Sequence, residues 1–152
     1  MKKLTLKELN ELNKLNSLNK LLKVIELLRH PENGCPWDIA QTFETLSNFP
    51  IEEAYELQNA INNKDIKNIK EELGDLLLHI LFYAKIGSEK NKFNIGIIAR
   101  QLTEKLIRRH PHVFDRKKIN SSDVEKNWEY IKMKEGNKSV LSGVPVSLTQ
   151  LI

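Results

Sequence analysis

Two stretches of the chain place carboxylates at helical spacing. Glu53 and Glu56 lie three residues apart in "IEEAYELQNA", and Glu52 falls on the same side of a helix. Further along, "KEELGDLLLHI" carries Glu72 and Asp75 with the same separation. Because burying an uncompensated charge is strongly unfavourable, such carboxylates need either solvent or a cation beside them.

The second stretch leaves little room for a solvated face. Its apolar residues occupy most of the helix circumference, and they are Leu73, Leu76, Leu77, Leu78, Ile80, Leu81 and Phe82. A helix of this kind is buried on most sides. Glu72, Asp75 and His79 would then form one polar stripe on a buried rod, with His79 interpreted as a core histidine.

Two antiparallel helices joined by a short turn would bring the ExxE and ExxD sequences face to face. Carboxylates that converge in a partly dry site repel one another, and a hard divalent cation with oxygen ligands relieves that repulsion. Mg²⁺ fits best, with Mn²⁺ as a substitute, because Mg²⁺ accepts carboxylates and commonly bridges to substrate phosphates. The alternative is that the acids face solvent and pair with lysines such as Lys64 or Lys67.

The rest of the pattern is helical and shows no sustained strand alternation. Apolar periodicity and capping residues predict helices over 18–29, 50–62, 66–88, 95–109 and about 122–135. Asp38 and Gln41 resemble a capping box and predict a short helix over 38–46. Asp65 is the expected cap of the third long helix, and Ser122 or Asp123 that of the last. The fold class is therefore all-α, a helical bundle of about four to five helices completed by homodimerisation.

The domain organisation follows from the same pattern. Leucines at every third position from 9 to 21 drift around a helix, so residues 1–17 are interpreted as a low-complexity N-terminal extension. Residues 18–136 form the helical domain, and the Gly- and Pro-punctuated residues 137–152 form a linker or strap. A chain of 152 residues usually makes one such domain.

Composition sets the class of partner and the compartment. The 24 basic and 20 acidic residues give a net charge of +4 and are dispersed, so no nucleic acid is expected. Cys35 is the single cysteine, which favours a reducing compartment. The start lacks a signal-peptide pattern, and no apolar run approaches the roughly 18 residues of a membrane span. We therefore expect a soluble, cytoplasmic protein without a membrane partner.

The acidic motifs also carry a family resemblance. "EEAYE" followed by "EELGD" resembles the EExxE…ExxD pattern of the MazG-type nucleoside triphosphate pyrophosphohydrolases, an all-α superfamily. "GCPWD", "QT", "KLIRRHPHVF" and "NWEYIKMKE" are similar to further MazG segments in the same order. The similarity covers roughly residues 21–146. Two departures are Phe43, where the family often has His, and Pro50 just before the acidic motif.

The resemblance implies hydrolysis of a nucleoside triphosphate to the monophosphate and pyrophosphate. It assigns Mg²⁺ binding to four residues, Glu53, Glu56, Glu72 and Asp75. The ion would neutralise polyphosphate charge and acidify a water that attacks phosphorus. Glu52 is then the candidate to orient or deprotonate that water. The resemblance also implies a homodimer, or a higher homo-oligomer, in which the partner completes the nucleotide pocket.

The same resemblance suggests four nucleotide contacts. They are Lys105 and Arg109 on the fourth long helix, and Trp128 and Lys132 on the fifth. Cations four residues apart project from one face toward a triphosphate, and an indole can stack on a base or ribose. The alternatives are a solvated basic helix end for "KLIRRH" and core packing for Trp128.

Other classes of function fit less well. A non-catalytic nucleotide-binding or dimerisation module that keeps the acidic pocket is the main alternative to the enzyme. A ferritin-like di-iron bundle would need ExxH pairs, and this chain has ExxE and ExxD instead. A helix-turn-helix DNA binder is disfavoured, because an acidic stripe repels phosphates.

Overall fold

The fold is all-α in the computed structural model, which describes residues 6–115 and 123–134. Eight helices follow one another in these residues: α1 Leu6–Lys14, α2 Ser17–Leu28, α3 Pro36–Ala40, α4 Phe49–Asn62, α5 Ile66–Glu89, α6 Ile95–Arg109, α7 Pro111–Phe114 and α8 Val124–Lys134. No strand occurs in either described segment. The predicted all-α helical bundle is therefore confirmed.

The described residues group into two compact units that divide between Ile98 and Ala99. In the first unit, α5 packs against both α2 and α4. The core of this unit consists of Ile25, Leu46, Leu81, Phe82 and Ile86. Burial of these large apolar side chains is the main stabilising contribution to such a core. The acidic residues of α4 and α5 are thereby mounted on rigid helices.

Short polar side chains cap the start of two helices, α2 and α5. Asn16 Oδ1 accepts the backbone N–H of Asn19 at 2.9 Å at the start of α2. Asp65 accepts the backbone N–H groups of Lys67 and Asn68 at 3.1 and 3.2 Å at the start of α5. These bonds satisfy amides that no helical carbonyl reaches. The predicted cap at Asp65 is confirmed.

A tight turn joins α4 to α5 and makes them a helical hairpin. Asn63 and Lys64 close the end of α4, and the Asp65 amide donates to the Ala60 carbonyl at 3.0 Å. Lys64 has a positive φ of 54°, the left-handed conformation that commonly ends a helix. This turn sets the pairing that brings the two acidic segments face to face.

Arg29 connects the end of α2 to the end of α5. Its Nη2 lies 2.7 Å from Glu89 Oε2, and its Nη1 donates to the carbonyls of Asp38 and Gln41. Burial raises the pKa of the Glu89 carboxyl, but the Arg29 hydrogen bonds and charge outweigh burial and hold that pKa below its ordinary value. The buried guanidinium therefore fixes the loop between α2 and α4.

The predicted short helix over 38–46 is wrong. The helix here is α3, Pro36–Ala40, with Cys35 at its N-cap, because Pro36 is suited to the first helical position. Thr42 and Thr45 then exchange side-chain bonds with each other's amides at 2.8 and 3.3 Å. Such bonds compete with helix formation, so the segment after Ala40 is a series of turns.

The other helix predictions agree closely with the structure. The bounds of α4, α5 and α6 match those predicted to within one residue, and α2 begins at Ser17 rather than at residue 18. The proposed extension contains α1, and α7 was not predicted. The last helix is α8, while Ser122, Glu135 and the proposed linker 137–152 lie outside the described residues. In the segments that are described, no helix has the length and apolarity that a membrane span requires.

Candidate active site

The α4–α5 hairpin brings three carboxylates together. One oxygen from each of Glu53, Glu56 and Glu72 lies within 4.8 Å of the other two. Mg²⁺ binds its ligands at about 2.0–2.1 Å, so a small side-chain rotation suffices to place the three oxygens around one ion. The residues present therefore fit a hard divalent cation, and both helices contribute to the site.

The electrostatics of Glu72 reflect this crowding. Burial is the largest cause that raises its pKa, followed by the charges of Glu56 and Glu53 and then those of Asp75 and Glu71. Glu53 and Glu72 are half-buried, whereas Glu56 is exposed. Like charges that face one another in partial burial disfavour the ionised form, and a bound cation would reverse that effect.

Two other candidates lie beside this group rather than in it. Asp75 is half-buried on α5, near enough for its charge to raise the pKa of Glu72, but it does not join the three oxygens within 4.8 Å. Glu52 is exposed in the first turn of α4 and also lies outside that group. The described structure thus brings together three of the four candidate ligands.

The lysine-paired alternative is not what the first unit shows. In the described part of the chain, neither Lys64 nor Lys67 forms an ion pair with the acids of the hairpin. The carboxylates face one another across the hairpin instead. Their mutual repulsion is therefore not relieved by these two lysines.

His79 lies beside the acid cluster, a position that was not predicted from the sequence. It is buried, as expected of a core histidine, but its Nε2 lies 3.6 Å from Glu53 Oε1. Its ring stacks on Phe49 with centroids 5.8 Å apart and an interplanar angle of 20°. Its Nδ1 is buried and has no hydrogen-bond partner among the described residues. The sequence feature that could have predicted this position is the polar stripe of Glu72, Asp75 and His79 on α5.

A polar cleft adjoins the acid cluster. It has a volume of about 360 Å³, which is at the low end for ligand pockets. Its lining consists of Glu56 and Glu72 from the cluster together with Tyr55, Asn59, Ala60, Asn63, Asp65 and Asn68. The three asparagines of this lining cluster around the predicted turn and were not among the predicted site residues. Their amides offer both donors and acceptors to a small polar group.

The second unit contains the candidate nucleotide contacts. Lys105 is exposed on α6. Arg109 ends that helix, and its Cζ lies 5.1 Å from the ring centroid of Trp128 on α8. This is a cation–π distance, so the pair is already formed. Lys132 belongs to α8, but its side chain lies outside the described residues.

Trp128 also packs within its own unit. The ring of His110 lies 4.9 Å from the indole at an interplanar angle of 62°, and His110 Nδ1 lies 2.7 Å from the Leu106 carbonyl oxygen. Trp128 is half-buried. Trp128 therefore packs against His110 and Arg109, and a contact with nucleotide stays a prediction.

An all-α hairpin with facing carboxylates defines a candidate divalent-cation site of the kind that handles phosphate esters and anhydrides. A family model described as "MazG nucleotide pyrophosphohydrolase domain" matches residues 41–114. The crystal structure of a mazG-related protein from Thermotoga maritima aligns with a TM-score of 0.63 and 30% identity, covering 76% of this chain and 98% of that one. The chain belongs to the MazG family, and the resemblance drawn from its motifs is confirmed.

Curated relatives agree with this assignment. The chain is 44% identical over 133 residues to "Nucleoside triphosphate pyrophosphohydrolase" of Escherichia coli K12, covering 84% of this chain and 51% of that protein. It is 48% identical over 120 residues to "Nucleoside triphosphate pyrophosphohydrolase/pyrophosphatase MazG" of Thermotoga maritima, covering 79% of this chain and 46% of that protein. The chain thus spans about half the length of these relatives.

Proposed function

We propose that this protein hydrolyses nucleoside triphosphates to the nucleoside monophosphate and pyrophosphate, with Mg²⁺ as its cation and Mn²⁺ as a substitute. The observation that carries the proposal is the approach of Glu53, Glu56 and Glu72 to within 4.8 Å across the hairpin. Membership of the MazG family and the printed names of the relatives support the same activity.

The proposed ligands are Glu53 and Glu56 from α4 with Glu72 and Asp75 from α5. A bound divalent ion would supply charge neutralisation of the triphosphate and acidification of a water molecule. The helices hold the carboxylates in place before the ion arrives, which reduces the cost of binding. The raised pKa of Glu72 means that protons compete with the cation there, so binding should weaken as pH falls.

Glu52 is proposed to orient or deprotonate the attacking water. It is exposed, one position before Glu53 and one turn before Glu56, so water reaches its carboxylate freely. A carboxylate beside the cation site, but outside the group that would hold the ion, is suited to accept a proton during attack.

The proposed nucleotide contacts are Lys105, Arg109, Trp128 and Lys132. Cations on α6 would bind phosphate oxygens, and Arg109 is suited to bidentate contact. The cation–π pair of Arg109 and Trp128 supports this role, because it places a guanidinium beside an aromatic surface. The indole would then stack on the base or the ribose.

A homodimer, or a higher homo-oligomer, is also proposed. Leu73, Leu77 and Ile80 are 51%, 36% and 47% exposed and follow the i, i+4, i+7 spacing of one face of α5. An apolar stripe on a helix commonly packs against a second copy. We also expect a cytoplasmic location, no nucleic-acid partner and no membrane partner, since the proposed substrates are cytoplasmic nucleotides.

Product analysis tests the proposed activity. The purified protein should convert members of a nucleoside triphosphate panel to monophosphate and pyrophosphate in equal amounts with Mg²⁺, and a chelator should stop the reaction. Formation of diphosphate and orthophosphate would contradict the proposal. Nucleotide binding without any product would favour the non-catalytic module instead.

A further inference from the structure

We propose that His79 is a positioning residue that orients the Glu53 carboxylate toward the divalent cation. This inference rests on the proposed function, since it assigns Glu53 to the cation. His79 itself would touch neither the ion nor the substrate. Its part would be to hold one carboxylate oxygen and leave the other directed at the ion.

The geometry around the imidazole supports this role. The residue is only 9% exposed, and Phe49 covers one ring face at a centroid distance of 5.8 Å. The stacking leaves the ring few orientations, because both rings lie nearly parallel at 20°. In the orientation adopted, the Nε2 edge is directed at Glu53.

The separation of Nε2 and Glu53 Oε1 is 3.6 Å, which is longer than a hydrogen bond. A shift of about half an ångström closes it to bonding distance. With a proton on Nε2, the imidazole donates to one oxygen of the carboxylate. Ligand carboxylates are commonly held in this way by a residue behind them, which fixes their direction.

The second ring nitrogen argues against a purely structural role. Nδ1 is buried without a hydrogen-bond partner in the part of the chain that the structure describes, and an unsatisfied buried polar atom destabilises a fold. Phe49 packs on the ring of this buried residue, so an apolar side chain would suit the position at least as well for packing. A buried histidine whose Nε2 faces a carboxylate of the cation site is best explained by that carboxylate.

Three variants of the full chain distinguish the effect of ring packing from the effect of the Nε2 donor. His79→Phe keeps the stack on Phe49 and removes both nitrogens. His79→Gln keeps an N–H donor near the position of Nε2. The side chain of His79→Asn is one carbon shorter than that of Gln, so its amide does not reach that position. Mn²⁺ affinity is measured by electron paramagnetic resonance of the free ion, and folding by circular dichroism and thermal unfolding.

We expect His79→Phe and His79→Asn to weaken Mn²⁺ binding about 10-fold or more, and His79→Gln to stay close to the wild-type value. The melting temperature of His79→Phe should not fall, because it removes an unsatisfied nitrogen. Tyr83→Phe is the matched control on the same helix, since it deletes a 2.8 Å hydrogen bond to the Leu46 carbonyl away from the acids. It should leave Mn²⁺ affinity unchanged.

Three results would overturn the inference in distinguishable ways. Wild-type affinity in His79→Phe and His79→Asn would remove the positioning role while leaving the cation site intact. If His79→Gln and His79→Phe weaken Mn²⁺ binding equally, the loss of affinity would come from altered packing and not from the loss of the Nε2 donor. Absence of Mn²⁺ binding in the wild-type protein would overturn the proposed cation site itself, and the role of His79 with it.

Discussion

At the scale of single residues, Glu72 registers the crowding of the acid cluster. Its pKa is raised by burial and then by the charges of Glu56, Glu53, Asp75 and Glu71. An acid whose folded pKa exceeds its unfolded value binds a proton more tightly when folded. Protonated Glu72 therefore stabilises the folded state, whereas ionisation of Glu72 opposes folding. The stability that the protonated form contributes is lost as pH rises above the ordinary pKa of 4.5.

Glu72→Gln should therefore raise the melting temperature of the metal-free protein at neutral pH. It should also flatten the decline in stability as pH rises above 4.5, because the titrating carboxyl is gone. Thermal unfolding with a chelator present, over a pH series, measures both effects. Glu32→Gln, on an exposed loop residue, is the control and should change neither. A lower melting temperature for Glu72→Gln would show that the carboxylates do not repel one another.

Glu52→Gln tests the proposed general base. Removing such a group typically costs about 10²- to 10⁴-fold in rate, so turnover should fall by that order. Because Glu52 lies outside the three-oxygen group, Mg²⁺ affinity should stay largely intact. Steady-state kinetics and Mg²⁺ titration of the same preparation separate the two quantities. An active variant would refute the role.

At the scale of elements, the Arg29–Glu89 pair holds the ends of α2 and α5 together. Glu89→Gln should lower the free energy of unfolding by about 2 kcal/mol, because a buried guanidinium loses its charged partner. The pKa of Glu89 is lowered, so ionised Glu89 stabilises the folded state. This stabilisation is present above the ordinary pKa of 4.5 and is lost as pH falls below it. Denaturant unfolding at neutral and acidic pH measures both. Glu26→Gln, which breaks an exposed pair with Lys23, should cost less than about 0.5 kcal/mol.

The α4–α5 turn offers a second prediction at this scale. Lys64 has a φ of 54°, which costs a side-chain-bearing residue about 1 kcal/mol that glycine avoids. Lys64→Gly should therefore stabilise the protein by about 0.5–1 kcal/mol in denaturant unfolding. Asn63→Gly is the control, since Asn63 has a φ of −80° and gains nothing from glycine. Destabilisation by Lys64→Gly would contradict this account of the turn.

The hairpin was predictable because its signals are local. Periodicity and the Asp65 cap predict α4 and α5, and two facing helices follow from the short turn between them. The start of α3 was predicted at Asp38 from its capping-box spacing, whereas the helix begins at Pro36, which occupies the first helical position. The contact of His79 with Glu53 depends on the stacking of Phe49, which comes from a different helix. The spacing of residues within α5 places His79 on the polar stripe, but it does not predict how a side chain of α4 orients the ring.

At the scale of the whole molecule, the exposed stripe on α5 bears on assembly. Leu77→Lys should shift a homodimer toward monomer, because a buried unpaired ammonium is strongly unfavourable in an apolar interface. Sedimentation velocity measures the change in mass. Leu18→Lys on α2, equally an exposed leucine but outside the stripe, is the control and should leave the mass unchanged. An unchanged dimer in Leu77→Lys would show that this face is not the interface.

The central claim is that oxygens from α4 and α5 jointly hold one divalent cation. Calorimetric titration of Mg²⁺ into the wild-type protein and into Glu56→Gln and Glu72→Gln tests it most directly. We predict saturable binding of Mg²⁺ in the wild type and strongly weakened binding in both variants, one from each helix. Equal affinity in all three proteins, or no binding by the folded wild type, would contradict the account.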